Sequence, residues 1–178
     1  MQRALSAIDR LGPTTEGGAV SLDDLRAPVL TAAIVLGALQ AGTYYAWASG
    51  VMPGLGRVDD RTFVHAMQQM NVAIVNPVFL TSFLGAPAAA ALSAVAVGGA
   101  ARSWAIAGAG LAVTTVVITG ALNVPLNNAL DAAGPVDSIR DLAAVRSDFE
   151  SAWRRWNVLR TLTSTASVAA LAVAALRT

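Results

Sequence analysis

Four long apolar stretches, separated by short polar segments, set the pattern of the chain. The first runs from Ala27 to Ser49, about 20 residues, the length at which an α-helix crosses the hydrocarbon of a bilayer. The second extends from about Pro77 to Ala101 and is rich in Ala and Gly, with Pro87 inside it. Residues that small let neighbouring helices approach closely. The third covers Trp104 to Leu122, and the fourth follows Asn157 to Leu176. Between the first two, Phe63, Met67, Met70 and Ile74 recur at helical spacing, with Val64, Gln68, Asn71 and Val75 beside them. That stripe predicts an amphipathic helix, for which Asp59 and Asp60 offer caps.

The breaks carry their own signals. Val51-Met52-Pro53-Gly54-Leu55 predicts a tight re-entry turn, because Pro fixes its own φ and Gly relaxes the next residue. Asn76-Pro77 kinks or restarts the helix. Ala101-Arg102-Ser103 predicts a minimal hairpin, and residues 128–137 a loop around Gly134-Pro135. Asp137 or Ser138 would cap the next helix, with Asp141 favouring its first turn. Ile139, Leu142, Phe149, Trp153 and Trp156 then recur at helical spacing, with Arg146 interrupting the row. No Gly or Pro follows Pro135, so one helix from about Ser138 to Leu176 would measure about 58 Å at 1.5 Å per residue, its first half outside the bilayer.

The predicted fold is therefore all-α: an integral membrane four-helix bundle, with an amphipathic helix before the second span and a long, partly extramembrane final helix. Residues 1–26 read as a polar N-terminal tail, and 27–178 as a single four-helix transmembrane domain. Leu5, Ile8 and Leu11 suggest a short amphipathic turn in the tail, interrupted at Gly12-Pro13. The tail lacks the basic region, short apolar core and small-residue cleavage site of a signal peptide. Four spans put both termini on one side and the segments 50–76 and 127–156 on the other. Arginines stand near the membrane on both sides. Those of the tail and of the 101–103 hairpin favour cytoplasmic termini.

Composition sharpens this picture by exclusion. The chain of 178 residues is 55% hydrophobic and 13% charged, with a mean hydropathy of +0.57, too apolar for an ordinary soluble domain. The net charge is +1 and the arginines form no dense basic tract, which argues against nucleic acid. There is no cysteine, so disulfides, zinc–thiolate sites and thiol catalysis are excluded. A single histidine, His65, argues against an all-protein metal site or a bis-histidine haem. Neither metal nor cofactor is expected.

Chemistry collects at one end of the predicted bundle. Trp153, Asn157, Arg160, Ser164 and Ser167 share one face of the last helix, and Trp156 lies beside it. An arginine on the first turns of a membrane span is costly unless it is paired. Topology brings to the same depth Gln68, Asn71 and Asn76 before the second span and Asn123 and Asn127 after the third. On the first span Gln40, Tyr44 and Trp47 share a face. Tyr44 and Trp47 suit an interfacial aromatic belt, whereas Gln40 sits deeper and faces other helices. Thr115 and Thr119 lead to Asn123 at i+4 steps, although such threonines often bond back to their own helix. Two readings of the polar cluster stand together: a structural lock, with Arg160 on carbonyls freed near Pro125, and the wall of a binding site. A general base is hard to find, since no Asp or Glu falls within a span. His65 is the one imidazole, and a lone surface histidine is usually inert. Asp59, Asp60 and Glu150 read as caps or solvated charges. There is no phosphate loop, nucleophile elbow or dinucleotide fingerprint.

The order and spacing of several pieces resemble the anthrone oxygenase family of small four-helix membrane proteins. These are Ala41-Gly42 through Leu55, Phe63-Val64 with Ala66-Met67-Gln68, Asn71, Asn76-Pro77 with Phe79, Asn123-Val124-Pro125-Leu126-Asn127, and Trp153, Trp156-Asn157 and Arg160. They extend over about residues 37–167. His65 departs from the pattern, which has a small variable residue there. The resemblance implies oxidation of an anthrone to an anthraquinone with O2, without metal or flavin, in a bacterial cell membrane. It implies roles as well: Trp153 or Trp156 stacking on the rings, Arg160 holding the developing oxyanion, and Asn123, Asn127 and Asn157 orienting phenol oxygens. Gln68, Asn71, Asn76, Gln40 and Tyr44 complete the expected substrate-binding set. The implied partners are membrane lipid, a small aromatic substrate and O2. The competing reading is a non-catalytic membrane protein that binds a lipid, a quinone or a partner helix. Transport ranks last, because four spans without an intramembrane carboxylate leave few groups for ion coupling.

Overall fold

The computed structural model describes residues 22–178, and every regular element among them is helical. Helix α1 is Leu22–Ala46, continued by a π-helical turn, Trp47–Val51, and one further α turn, Met52–Leu55. Then come α2, Asp60–Ala73, and α3, Pro77–Ala96. Helix α4, Gly99–Ile118, runs through a second π turn, Thr119–Asn123, into α5, Val124–Ala132. Helix α6, Leu142–Ala175, closes the fold. Four continuous helical stretches are long and apolar enough to span a bilayer: Asp24–Leu55, Pro77–Ala96, Gly99–Ala132 and Leu142–Ala175. Leu84, Leu92, Val95, Ile106, Val113, Val117 and Leu162 stand exposed on their outer faces, which is the arrangement lipid requires. The chain is a membrane protein of four-helix architecture.

Several boundaries depart from the sequence pattern, each for a local reason. The pattern ends the polar tail at residue 26, but α1 already begins at Leu22; the Leu5–Ile8–Leu11 turn lies outside the described residues. Met52-Pro53-Gly54-Leu55 is not a turn. Pro53 sits in the first positions of a helical turn, where its missing N–H is not needed. The π turn before it takes up the change in ladder, with Met52 N–H donating to the Trp47 carbonyl five residues back. The same device recurs at Pro125, where Val124 N–H donates to the Thr119 carbonyl. Pro125 therefore leaves the helix unbroken, and the expected loop from 128 is helical to Ala132. The hairpin expected at Ala101-Arg102-Ser103 is also helical. The chain turns at Val97-Gly98-Gly99, where Gly99 takes φ +55°, a conformation side chains disfavour. The cap of α6 is Asp141, which accepts from Ala144 N–H at 2.9 Å, rather than Asp137 or Ser138. Asp59 caps α2 and Asn76 caps α3, each accepting from the N–H three residues on.

The bundle is layered along its axis. At the end bearing the described C-terminus the core is made of small residues, Ala33, Ala90, Ala101, Ala105, Ala112 and Ala174, with Leu30, Val97 and Leu171. Ser167 donates to the Gly108 carbonyl at 2.7 Å across the α4–α6 seam, an approach only small residues permit. Arg26 donates to the Ala96 carbonyl at 3.0 Å, satisfying an open helix end. At the opposite end the core is bulky: Met52, Phe63, Val64, Met67, Leu130, Phe149 and Trp153. There Arg146, the residue that interrupts the apolar row, lies 4.5 Å from the centroid of the Phe63 ring. It donates to the carbonyls of Val58 and Leu55 and pairs with Asp60 and Glu150. Asp60 and Glu150 are thus structural partners rather than merely solvated charges. Between the two cores lies a polar layer.

Candidate active site

The polar layer is centred on α6. Trp153, Asn157, Arg160, Ser164 and Ser167 are all buried, as their shared helical face requires. Both π turns pack against this helix. The first brings Trp47 to 5.1 Å from Trp153, ring centroid to centroid. The second carries Asn123, which is fully buried. A π turn rotates the residues that follow it relative to a straight α-helix, and such turns are frequent at functional sites.

Arg160 is the unusual group. It is 7% exposed, and its Nη2 donates to Asn157 Oδ1 at 3.0 Å. Its guanidinium carbon lies 4.6 Å from the Tyr44 ring centroid and 5.3 Å from that of Trp153, so two π faces flank the cation. No ion pair to it occurs among the described residues. Asn157 passes the connection on, donating through Nδ2 to the Tyr44 carbonyl at 3.1 Å, just ahead of the first π turn. The Tyr44 hydroxyl donates to Gln40 Oε1 at 2.8 Å, and Gln40 Nε2 donates to Ser82 Oγ at 2.7 Å. One chain of hydrogen bonds thus joins α6, α1 and α3.

A cavity of about 190 Å³ opens beside this chain. Its walls come from every part of the bundle: Thr43, Tyr44 and Trp47; Met70, Asn71, Ile74 and Val75; Phe79, Leu80 and Phe83; Thr119, Val124 and Asn127; and Trp153 and Arg160. Asn127 Oδ1 accepts from the Trp153 indole N–H at 2.9 Å, which fixes the plane of that ring. Three buried polar atoms have no partner among the described residues: Arg160 Nε, Asn71 Nδ2 and Asn123 Oδ1. Arg160 and Asn71 both line the cavity. Several aromatic faces, a mostly apolar wall and one guanidinium suit a flat, largely apolar ligand with a polar edge. A second void, of about 20 Å³, lies against Gln40, Tyr44, Phe83, Thr115 and Ser164.

Not every residue singled out by sequence stands here. The cavity gathers Tyr44, Asn71, Asn127, Trp153 and Arg160. Asn157 is behind Arg160, and Asn123 reaches the Trp153 carbonyl at 3.5 Å. Gln40 borders the smaller void. Gln68 donates to the carbonyls of Leu130 and Gly134 and fastens α2 to the end of α5. Asn76 is spent as the cap of α3. Trp156 lies outside the cavity, with the Arg155 guanidinium 4.5 Å from its ring centroid. His65 is exposed and borders an outer groove with Arg61 and Asp137. Thr115 and Thr119 bond back to their own helix, as threonines in apolar helices do. Sequence reasoning passed over Met70, Phe79, Phe83 and Trp47 as cavity residues. The i, i+4 pair Phe79–Phe83 was the available signal, and its rings stack at 5.5 Å.

A family model described as anthrone oxygenase matches residues 65–170, from α2 to α6. The chain belongs to the anthrone oxygenase family. The match includes Asn71, Asn123, Asn127, Trp153, Asn157 and Arg160. Membership brings an oxygenase-type, oxidoreductase function at the level of the family. No curated protein and no solved structure matches the chain. The described residues of this anthrone oxygenase family member hold no group of three or more His, Asp or Glu side chains placed to ligate a metal.

Proposed function

We propose that this chain is a membrane-embedded, cofactor-independent oxygenase that takes an anthrone-like phenolic aromatic and O2 to the corresponding quinone and water. The observation that carries the reading is Arg160: a buried guanidinium with no carboxylate partner among the described residues, flanked by Tyr44 and Trp153, on the wall of an aromatic-lined cavity. A fixed positive charge in a site of low polarity stabilises an anion far more than it would in water. An anthrone in its hydroxyl tautomer ionises to an electron-rich anion that gives one electron to O2 directly. The resulting aryloxyl radical and superoxide combine at the ring carbon as a peroxide, which regains the released proton. Loss of the remaining C–H proton with O–O cleavage expels water and leaves the second carbonyl. In this scheme Trp153 and Trp47 hold the rings, Arg160 and Asn71 hold the oxyanion, and Asn127 and Asn157 orient Trp153 and Arg160. The cavity walls bear no carboxylate or imidazole among the described residues, so the protein's share is binding and stabilising the anion rather than deprotonating carbon.

The setting we infer is a bacterial cell membrane; cytoplasmic termini are supported by Arg26, Arg102 and Arg177, which lie near the terminal end of the bundle. A second reading, a non-catalytic binder of lipid or quinone, is favoured by the closed chain of bonds from Arg160 through Asn157 to the Tyr44 carbonyl. The test is turnover of an anthrone by purified protein in lipid. The oxygenase reading expects one O2 consumed per anthraquinone formed, with the rate above the spontaneous one proportional to protein. Tight binding of the quinone without turnover of the anthrone would establish the second reading instead.

A further inference from the structure

We infer that the cavity is loaded sideways from the bilayer, through a gap between α1 and α3, and that its ligand is a polycyclic phenol dissolved in lipid rather than one drawn from water. The inference rests on the substrate class proposed above and adds its route. Deep in the bundle α1 and α3 are in close contact: a Cβ on Gly85 would come within 3.0 Å of Leu36 Cδ1. One turn on, Gln40 and Ser82 are tied at 2.7 Å. Beyond that tie the helices leave a groove on the outer surface. Thr43, Ile74 and Phe79 line both this groove and the cavity, so the two share a wall. Around it the surface is apolar and open: Val75 is 67% exposed, Val78 83% and Leu39 56%.

The rim suits hydrocarbon. The Thr43 hydroxyl donates to the Leu39 carbonyl, the Ser82 hydroxyl to the Phe79 carbonyl and the Asn76 amide to the Ala73 and Ile74 carbonyls, so none of the three polar side chains of the groove offers an unspent proton to lipid. Both ends of the cavity along the bundle axis are obstructed. Trp47 against Trp153, over the bulky core, closes one, and the Tyr44–Gln40–Ser82 chain closes the other. A fused aromatic ring system also concentrates in a bilayer, since transfer of its apolar surface out of water is favourable.

The chain has no cysteine, so Val78→Cys, on the groove but not on the cavity wall, supplies a single handle on the rim. The protein is reconstituted in nanodiscs of differing lipid content, and 1,8-dihydroxyanthraquinone is followed by its quenching of tryptophan fluorescence. The equilibrium is the same by either route, so the route is read in the rates. Labelling the cysteine with a bulky methanethiosulfonate is expected to slow association and dissociation together by about fivefold or more, leaving Kd nearly unchanged. Both rates are expected to recover when reductant removes the label, which excludes unfolding. Labelled protein that binds at the unlabelled rate overturns the lateral route alone. A label that weakens Kd without slowing dissociation also overturns it, by placing Val78 in the site rather than on the path. Absence of any binding to the unlabelled protein removes the substrate class and the route with it.

Discussion

Arg160 donates to Asn157 Oδ1 at 3.0 Å, one turn back on the same helix, while its Nε has no partner among the described residues. The guanidinium is therefore oriented but not spent. Lysine at this position keeps the charge and loses the planar fork. If Arg160 holds an oxyanion, Arg160→Lys is expected to fold nearly normally while anthrone oxidation falls about tenfold or more, at roughly 1.4 kcal/mol per decade. Arg160→Gln is expected to abolish detectable turnover. A loss confined to thermal stability, with kcat/KM per folded protein unchanged in Arg160→Lys, would mark Arg160 as a lock between helices and nothing more.

Trp153 gives its indole N–H to Asn127 at 2.9 Å. Asn127→Leu leaves that buried donor unmade, at a cost of about 1–3 kcal/mol, and frees the ring to rotate. The expected outcome is a shifted tryptophan emission and weaker binding of an anthraquinone. Asn127→Asp restores an acceptor but puts a carboxylate on the wall that Arg160 shares. It is expected to keep the emission of the wild type and still lose turnover, because the new carboxylate competes with the substrate anion. Equal turnover in Asn127→Asp and wild type would refute the anion-holding role.

The helices and the α6 face were legible in the sequence because both follow from local periodicity. Trp153, Asn157 and Arg160 repeat along one stripe, and burial followed. The termini of elements were less legible where a proline is present. Pro53 read as a turn and Pro125 as a point where carbonyls are freed, but a π turn ahead of each absorbs the missing donor, and whether a chain takes that course depends on what the rotated residues then contact. Here they contact α6 through Trp47 and Asn123. Arg146 was also hidden. In sequence it only interrupts an apolar row. Its partners Leu55, Val58 and Asp60 come from a segment that only the tertiary fold brings near. The amides divided the same way: Gln68 and Asn76 look like site residues until the loop they fasten and the helix they cap are in place.

The topology is open to a direct test. Gly98 and Gly134 lie in turns at opposite ends of the bundle, whereas Arg102 is already inside α4. Reporters inserted at Gly98 and Gly134 are expected to be accessible from opposite sides of the membrane. Accessibility of both from the same side would rule out four crossings.

The cap of α2 makes an acid-sensitive contribution. Thr62, through its hydroxyl and its backbone N–H, holds the Asp59 carboxyl below the usual carboxylate range. A carboxylate depressed on folding favours the folded state at pH above its unfolded value, about 3.9. That contribution is lost as pH falls through the lower folded value. Asp59→Ala is therefore expected to be less stable than wild type at neutral pH, with the gap narrowing below about pH 4. The group is exposed, so the effect is small. Melting curves in detergent across this range would check it. A gap independent of pH would show that helix entry does not depend on the charge.

The α4–α6 seam provides the sharpest contrast in stability. A Cβ on Gly108 would come within 2.8 Å of Leu171 Cγ and 3.2 Å of the Ser167 carbonyl oxygen. The second of these is backbone and cannot swing aside. The close approach also carries the bond from Ser167 to the Gly108 carbonyl at 2.7 Å. Gly108→Ala must push the helices apart, and is expected to destabilise by about 1–3 kcal/mol, the usual cost of overpacking. Gly110, two residues on in the same helix, has open space where a Cβ would stand, with nothing within 4 Å among the described residues beyond its chain neighbours and its own helix backbone. Gly110→Ala gains helix propensity with no clash, so it is expected to be neutral or stabilising by up to about 1 kcal/mol. The same chemical change two residues apart should thus lower the melting temperature at Gly108 and leave it unchanged or raise it at Gly110. Equal effects of the two substitutions would mean that α4 does not present its Gly108 face to α6, and the register that buries Ser164 and Ser167 would have to be redrawn.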